Sequence, residues 1–278
     1  MKRNAIRVVC NPYTNKMSYY FKNEIGEWNV LSGSSPLSRQ YYTNTTVVER
    51  GKEIVEKIDE IYNRKNKGVD ILFEGTTDSF NSFVNEIEKN YSDRDICCTV
   101  GTTKIAVLGK KLVGKTTLIE GLEKLKGFKY SKTSKDNYIQ YTDECNHAHW
   151  YEVEGIDLGM ENVEKTFQTI ADLSEEGLSA VIYCVSAITG RIEEIEKELI
   201  SRIENSFAEI KVMVVLTMCY KDNIQETIDE IEKITNQAKL VVTLAKEYKT
   251  GLKDNEGNAI MVEPFGLEWV SEYVFEGR

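Results

Sequence analysis

The residues with the clearest capacity for chemistry are Gly109 to Thr116, "GKKLVGKT", which satisfy the pattern GxxxxGK[ST]. An apolar run, "KIAVLG", precedes them and a helix-forming run, "TTLIEGLEKLK", follows, so the loop has a strand on one side and a helix on the other. In that setting the amide hydrogens of Lys110, Lys111, Leu112, Val113 and Gly114 line an anion-binding nest, and the helix N-terminus adds its positive end. Lys115 is placed to reach the outer phosphates of a nucleotide, and Thr116 to put its hydroxyl on Mg²⁺, a hard ion that takes oxygen ligands. Thr117 belongs to the same nucleotide-binding set.

The elements that must position this loop follow from the hydrophobic pattern. From Lys104 onward, apolar strands alternate with polar-faced helices. "NYIQYTDECNHAHWYEVEG" reads as two strands around a turn at Cys145–Asn146, and "MENVEKTFQTIADLSEEG" as a helix ended by Gly177. "SAVIYCVSA" lacks alternation, as expected of a strand covered on both faces. "RIEEIEKELISRIENSF" and "NIQETIDEIEKITNQA" read as helices, "IKVMVVLTM" as a strand, "KLVVTLA" as the last strand and "PFGLEWVSEYVF" as a short last helix. The alternation predicts an α/β fold with a mostly parallel, doubly wound sheet.

Residues 1–101 read as a separate small α+β or α/β domain, and 102–278 as the nucleotide-binding one. In the first, "AIRVVCN" and "KMSYYFKN" predict a hairpin, and "VVERGKEIVEKIDEIYNR" an amphipathic helix with Val48, Ile54, Val55, Ile58, Ile61 and Tyr62 on its apolar face. "VDILFEG" is a buried-type strand, "SFNSFVNEIEKNY" a helix carrying Phe80, Phe83, Val84 and Ile87 on one face, and "DICCTV" a closing strand. Glu74, in the polar loop "FEGTTDSF", is a minor site candidate beside the plainer reading of a turn capped by Thr77 or Asp78.

Composition narrows the partners. The chain has 278 residues and a net charge of -10, with 45 acidic against 35 basic side chains. That balance disfavours a broad phosphate-backbone footprint, so a nucleic-acid partner is not expected. The six cysteines show no CxxC or zinc-knuckle spacing, and several sit in apolar runs, which predicts free thiols and a cytoplasmic location. No apolar stretch reaches the roughly 18 residues that span a bilayer, and a soluble protein is expected.

Over about Thr103 to Lys246 the chain resembles the translation-factor-like (TRAFAC) class of P-loop GTPases, and its later pattern resembles bacterial dynamin-related or septin-like GTPase domains. The resemblance implies a P-loop G domain that binds GTP or GDP with Mg²⁺. It places Glu152 of "WYEVEG" where an aspartate reaches Mg²⁺ through water, with Asp157 as the alternative, and Gly155 where a glycine N–H meets the γ-phosphate. It makes "KGFKYSKTSKDN" a first switch loop, with Thr133 as a metal ligand and Ser134 as the alternative. In "TMCYKD" Thr217 fits the base-recognition motif, Met218 replaces its lysine, Tyr220 stands where the base-accepting aspartate is expected, and Asp222 follows two residues on. In "TLAKEY" the Ala245 N–H would meet guanine O6 and the Lys246 stem would cover the base. Members of this group carry further segments, and the abrupt stop at "FEGR" leads to the expectation of a longer parent chain.

For catalysis the resemblance assigns Lys115 and Thr133, with Lys110, Lys111 or Arg191 as further charges. Ile156 stands where many signalling GTPases carry a water-orienting glutamine, which implies slow turnover. His147 and His149 alternate on one hairpin and, without a third ligand nearby, read as structural. The alternatives are a ParA/MinD-like ATPase, in which Lys110 crosses to a partner subunit, and a nucleotide-bound scaffold without significant turnover. An unidentified protein partner is expected through residues 1–101 or by G-domain dimerisation.

Overall fold

The computed structural model describes residues 4–10, 16–22, 28–30, 40–41, 68–75, 77–90, 95–126, 130–143, 147–156, 160–188, 192–207, 210–220, 224–235 and 238–275. The chain divides into two compact units, Met1–Thr103 with Glu144–Ala148 and Ser271–Arg278, and Lys104–Asp143 with His149–Val270.

The first unit is built on a mixed sheet. Its strands are β1 (Asn4–Cys10), β2 (Lys16–Lys22), β3 (Trp28–Val30), β4 (Gln40–Tyr41), β5 (Val69–Glu74) and β6 (Ile96–Val100), with helix α1 (Thr77–Asn90) between the last two. The order is β3-β2-β1-β5-β6, with β4 beside β2. β1 and β2 pair antiparallel as the predicted hairpin, while β5 runs parallel to both β1 and β6. Ile6, Val8, Ile71 and Phe73 are buried, and so are Phe83 and Ile87 of the predicted apolar face of α1. The Phe73 ring lies 5.4 Å from that of Phe83 and 5.7 Å from that of Phe80, and each such burial contributes about 1.5–3 kcal/mol. Glu74 accepts two hydrogen bonds from the Arg7 guanidinium, at 3.0 and 2.8 Å, and is a paired structural carboxylate. The helix predicted around Val48 to Tyr62 lies outside the described residues.

The second unit carries a seven-stranded sheet. Its elements are β7 (Thr103–Leu108), α2 (Lys115–Lys126), β8 (Ser131–Ser134), β9 (Tyr138–Asp143), β10 (Ala148–Val153), α3 (Met160–Glu175), β11 (Ala180–Ser186), α4 (Glu194–Ser206), β12 (Lys211–Thr217), α5 (Gln225–Ile234) and β13 (Lys239–Val242). The strand order is β13-β12-β11-β7-β10-β9-β8. β7, β11, β12 and β13 are parallel, and β8 forms an antiparallel edge with β9. This is an α/β arrangement with a mostly parallel sheet, as the sequence predicts. β11 is buried at every residue, which explains its unbroken apolar run. Gly177 ends α3 as predicted. At φ 90° it turns the chain so that its own N–H reaches Ser174 and the Leu178 N–H reaches Leu173, a Schellman cap.

Two expectations are corrected here. "KLVVTLA" is not the last strand, because a hairpin of β14 (Tyr248–Lys253) and β15 (Ala259–Val262) follows it. Asp254 shapes its turn by accepting from the N–H groups of Glu256 and Asn258. The final helix, α6 (Leu267–Phe275), comes after this hairpin. Second, the predicted switch loop is in part a strand, since Ser131 to Ser134 pair in register with Thr142 to Ile139. Its four side chains are all exposed, so a ladder with β9 rather than any burial signal makes it a strand.

Gly266 joins the hairpin to α6 at φ 82°, where a Cβ would strike the carbonyl of Val242. Gly266→Ala is expected to cost about 2–4 kcal/mol, as strain plus overpacking. The check is a lower urea midpoint at unchanged m-value. Gly177→Ala is the control, because no atom lies within 4 Å of a Cβ there and only backbone strain is added.

Candidate functional site

The loop between β7 and α2 lies at the carboxyl end of the parallel strands, where α/β sheets bind ligands. Its backbone is set by positive φ angles at Gly109 (134°), Leu112 (64°) and Gly114 (94°). Such alternation turns successive N–H groups toward one centre, the geometry of an anion nest. Three neighbours hold the loop. A Cβ on Gly109 would strike the Cys184 carbonyl of β11. A Cβ on Gly155 would lie 2.8 Å from the Lys111 nitrogen and 2.5 Å from its Cγ, so only glycine lets these segments meet. Thr217, at the end of β12, has its hydroxyl against the Val113 carbonyl, with the Val185 carbonyl 3.0 Å away as a second acceptor.

Lys115 is buried, its ammonium donating to the carbonyls of Gly109 at 3.0 Å and Lys110 at 2.8 Å. Burial lowers its pKa, with Cys184 and Glu152 opposing the shift. Lys110 takes a different course. Its ammonium lies 2.7 Å from Glu196 and 2.9 Å from Glu193, at the start of α4. Glu196 is 2% exposed, accepts from the Tyr183 hydroxyl at 3.1 Å and from the Glu193 N–H at 3.0 Å, and completes a capping box. Burial pulls the Lys110 ammonium down, but its hydrogen bonds to Glu196 and Glu193 prevail and leave its pKa raised.

Thr116 and Glu152 are in contact. The Thr116 hydroxyl donates to Glu152 Oε1 at 2.6 Å, and the Tyr141 hydroxyl donates to Glu152 Oε2 at 2.6 Å. A hydroxyl and one carboxylate beside a phosphate cradle suit Mg²⁺, which binds through one or two carboxylates plus substrate phosphates. Among the described residues there is no group of three or more His, Cys, Asp or Glu that would make an all-protein metal cage. His149 is lowered in pKa by burial first and by Lys104 next, and its Nδ1 lies 3.4 Å from the Tyr151 hydroxyl.

A cleft of about 580 Å³ opens beside Lys115, bounded by Lys111 and Leu112, by Lys135 to Ile139, and by Glu152 to Gly155. That volume lies in the range of small-molecule sites, roughly 300–1,000 Å³. Thr133 is outside it. Along β8 side chains alternate, and Lys132, paired with Tyr141, sets its ammonium 4.9 Å from the Tyr141 ring. Thr133, paired with Gln140, therefore faces away from Tyr141 and Glu152, while Ser134 shares the face of Lys132. Ile156 is buried in the core, and its N–H reaches the Gly109 carbonyl at 3.2 Å.

Among the residues expected to recognise a base, Thr217 clamps the loop, as described above. Tyr220 stacks on Tyr248 with centroids 3.6 Å apart and planes 13° from parallel. The Ala245 carbonyl and Cβ press on Gly121 of α2, leaving no room for a side chain there, and Lys246 is exposed. Asp222, Asp157 and Arg191 lie outside the described residues.

Sequence reasoning missed Tyr141, Glu193 and Glu196. Glu196 left a signal, since 196, 199, 200 and 203 form the buried stripe of α4 and a carboxylate interrupts it. Tyr141 left only an alternation with Asp143, the other buried residue of β9.

No family model matches the chain, and no curated protein matches it. Among solved structures, an S. thermophilus NFeoB variant bound to GDP aligns at 17% identity and a TM-score of 0.39, covering 62% of this chain and 60% of that one. Toc33 from Arabidopsis thaliana, in complex with Mg²⁺ and GMPPNP, aligns at 13% identity and a TM-score of 0.39, covering 69% and 90%. The aligned part thus spans about three fifths of the NFeoB chain. The ligands in those structures are properties of those proteins.

Lys110→Met would leave Glu196 with only its neutral donors. A loss of roughly 2–3 kcal/mol is expected, below the ~3–5 kcal/mol of a wholly uncompensated buried charge. Urea unfolding measures it, and the double variant Lys110→Met with Glu196→Met is expected to recover part of the loss.

Proposed function

We propose that the chain is a guanine-nucleotide-binding switch that hydrolyses GTP slowly with Mg²⁺. The observation that carries the reading is the loop itself: a GxxxxGK[ST] sequence whose backbone is held as a nest, with Lys115 at its centre and Thr116 bonded to Glu152. A nucleotide tail entering the nest takes over the Lys115 ammonium from the carbonyls of Gly109 and Lys110. Gly155, already against Lys111, then presents its N–H to the terminal phosphate. Bound Mg²⁺ would be held by Thr116 and Glu152, and would supply neutralisation of the phosphate charge. Thr133 can join that site only after β8 leaves its ladder. Ala245, Lys246, Thr217 and Asp222 form the base end of this reading.

Ile156 supports slow turnover, because a buried aliphatic side chain cannot orient a water. The ATPase alternative requires Lys110 to reach a partner subunit, whereas here both carboxylates beside it belong to its own chain. The reading keeps the division at residue 101, a cytoplasmic location and a protein partner met through residues 1–101 or by dimerisation. No helix among the described residues is long and apolar enough to cross a membrane.

Titration with GTP and ATP, each with Mg²⁺, tests the reading. Tighter binding of GTP is expected, and Lys115→Ala should lose at least a hundredfold. Phosphate release should run on the order of 10⁻³ s⁻¹ or below without a partner. Unchanged affinity in Lys115→Ala for every nucleotide would sink the reading, and tight GTP binding without release would favour the scaffold.

A further inference from the structure

We propose that Tyr141 is the positioning residue of the metal-side carboxylate: its buried hydroxyl tethers Glu152 so that this acid presents its other oxygen at Thr116. The proposal rests on the nucleotide and Mg²⁺ reading above and adds a residue that neither the loop motif nor the resemblance assigns.

Glu152 stands where a shorter aspartate is expected, and its extra methylene adds a rotatable bond. An untethered glutamate on a sheet spreads over several rotamers, and ordering it costs conformational entropy each time a cation binds. Here both carboxylate oxygens are engaged, Oε1 by the Thr116 hydroxyl and Oε2 by the Tyr141 hydroxyl, each at 2.6 Å. The tether is itself fixed. Tyr141 is 2% exposed, with the Tyr130 ring edge-on at 6.1 Å and the Lys132 ammonium 4.9 Å from its centroid. The sheet sets the spacing, since Tyr141 and Glu152 lie on the neighbouring strands β9 and β10. A phenol is a donor near neutral pH, so its hydroxyl holds Glu152 without competing for the metal. Partners of this kind, one bond removed from a ligand, typically set metal affinity by 10–100-fold.

Binding of a non-hydrolysable GTP analogue is measured by titration in Mg²⁺ and in excess EDTA. The ratio of the two affinities is the metal's contribution, read without turnover. Tyr141→Phe keeps the ring and its packing, and is expected to lower that ratio about tenfold while leaving the EDTA affinity unchanged. In a Glu152→Asp background, where a shorter acid has no tether to lose, the same change is expected to do little. A wild-type ratio in Tyr141→Phe overturns the proposal, and so does an equal loss in Mg²⁺ and EDTA, which marks a packing role. Failure of the wild-type chain to bind the analogue in either condition is a different result, and it overturns the nucleotide reading beneath the proposal.

Discussion

Everything at the site depends on one backbone constraint: six residues between β7 and α2 must stay curled around a point that anions can occupy. Such a curl costs energy, since Leu112 holds φ 64° without being glycine. The surroundings over-determine it. Cys184 blocks one side, Gly155 lies flat against Lys111, and the Thr217 hydroxyl holds the Val113 carbonyl. Each contact comes from a different strand end, so the parallel sheet fixes the loop before any ligand arrives. Catalytic preorganisation has the same character, because dipoles aimed in advance need no reorganisation when charge develops.

The two lysines that flank this constraint are separated by their environments. Lys115 is buried with only carbonyl oxygens as acceptors, an arrangement that leaves its whole positive charge to answer an incoming anion. Lys110 is matched by Glu193 and Glu196, so its charge is neutralised within the fold. The motif singles out Lys115 for phosphate, but nothing in the sequence shows what Lys110 meets. The difference arises from α4, whose N-terminus delivers two carboxylates to the loop and whose buried stripe carries one of them. Lys110 therefore couples the loop to α4 as a structural tie, and Lys115 is the ammonium of the loop that faces only carbonyls.

Legibility in the sequence followed the kind of interaction involved. Alternating apolar strands and amphipathic helices gave the parallel core, because burial leaves a periodic trace in residue type. β8 left none: "SKTS" is exposed throughout and exists as a strand through its ladder with β9. β14 and β15 leave no periodic trace, because the hairpin exposes Leu252, Ile260 and Met261 and buries little. At the site, the loop motif was visible because its chemistry is local. The Tyr141–Glu152–Thr116 chain was not, since it joins three elements through two hydrogen bonds between residues 11 and 36 positions apart.

The base end follows a different logic from the phosphate end. Guanine selectivity is enforced by a buried acceptor that punishes any base lacking the matching donors. In the motif reading Tyr220 stands at that acceptor's position, and a phenol stacked face to face on Tyr248 would offer an aromatic surface in place of a carboxylate. Stacking is tolerant of base identity because every base has a π-face. Under the reading proposed above, affinity would be concentrated on the phosphates, where nest, Lys115 and the Thr116–Glu152 pair converge. Discrimination between purines would then fall to the Ala245 amide and to Asp222. On that reading, such a site would hold a triphosphate tail far more strictly than it chooses the base.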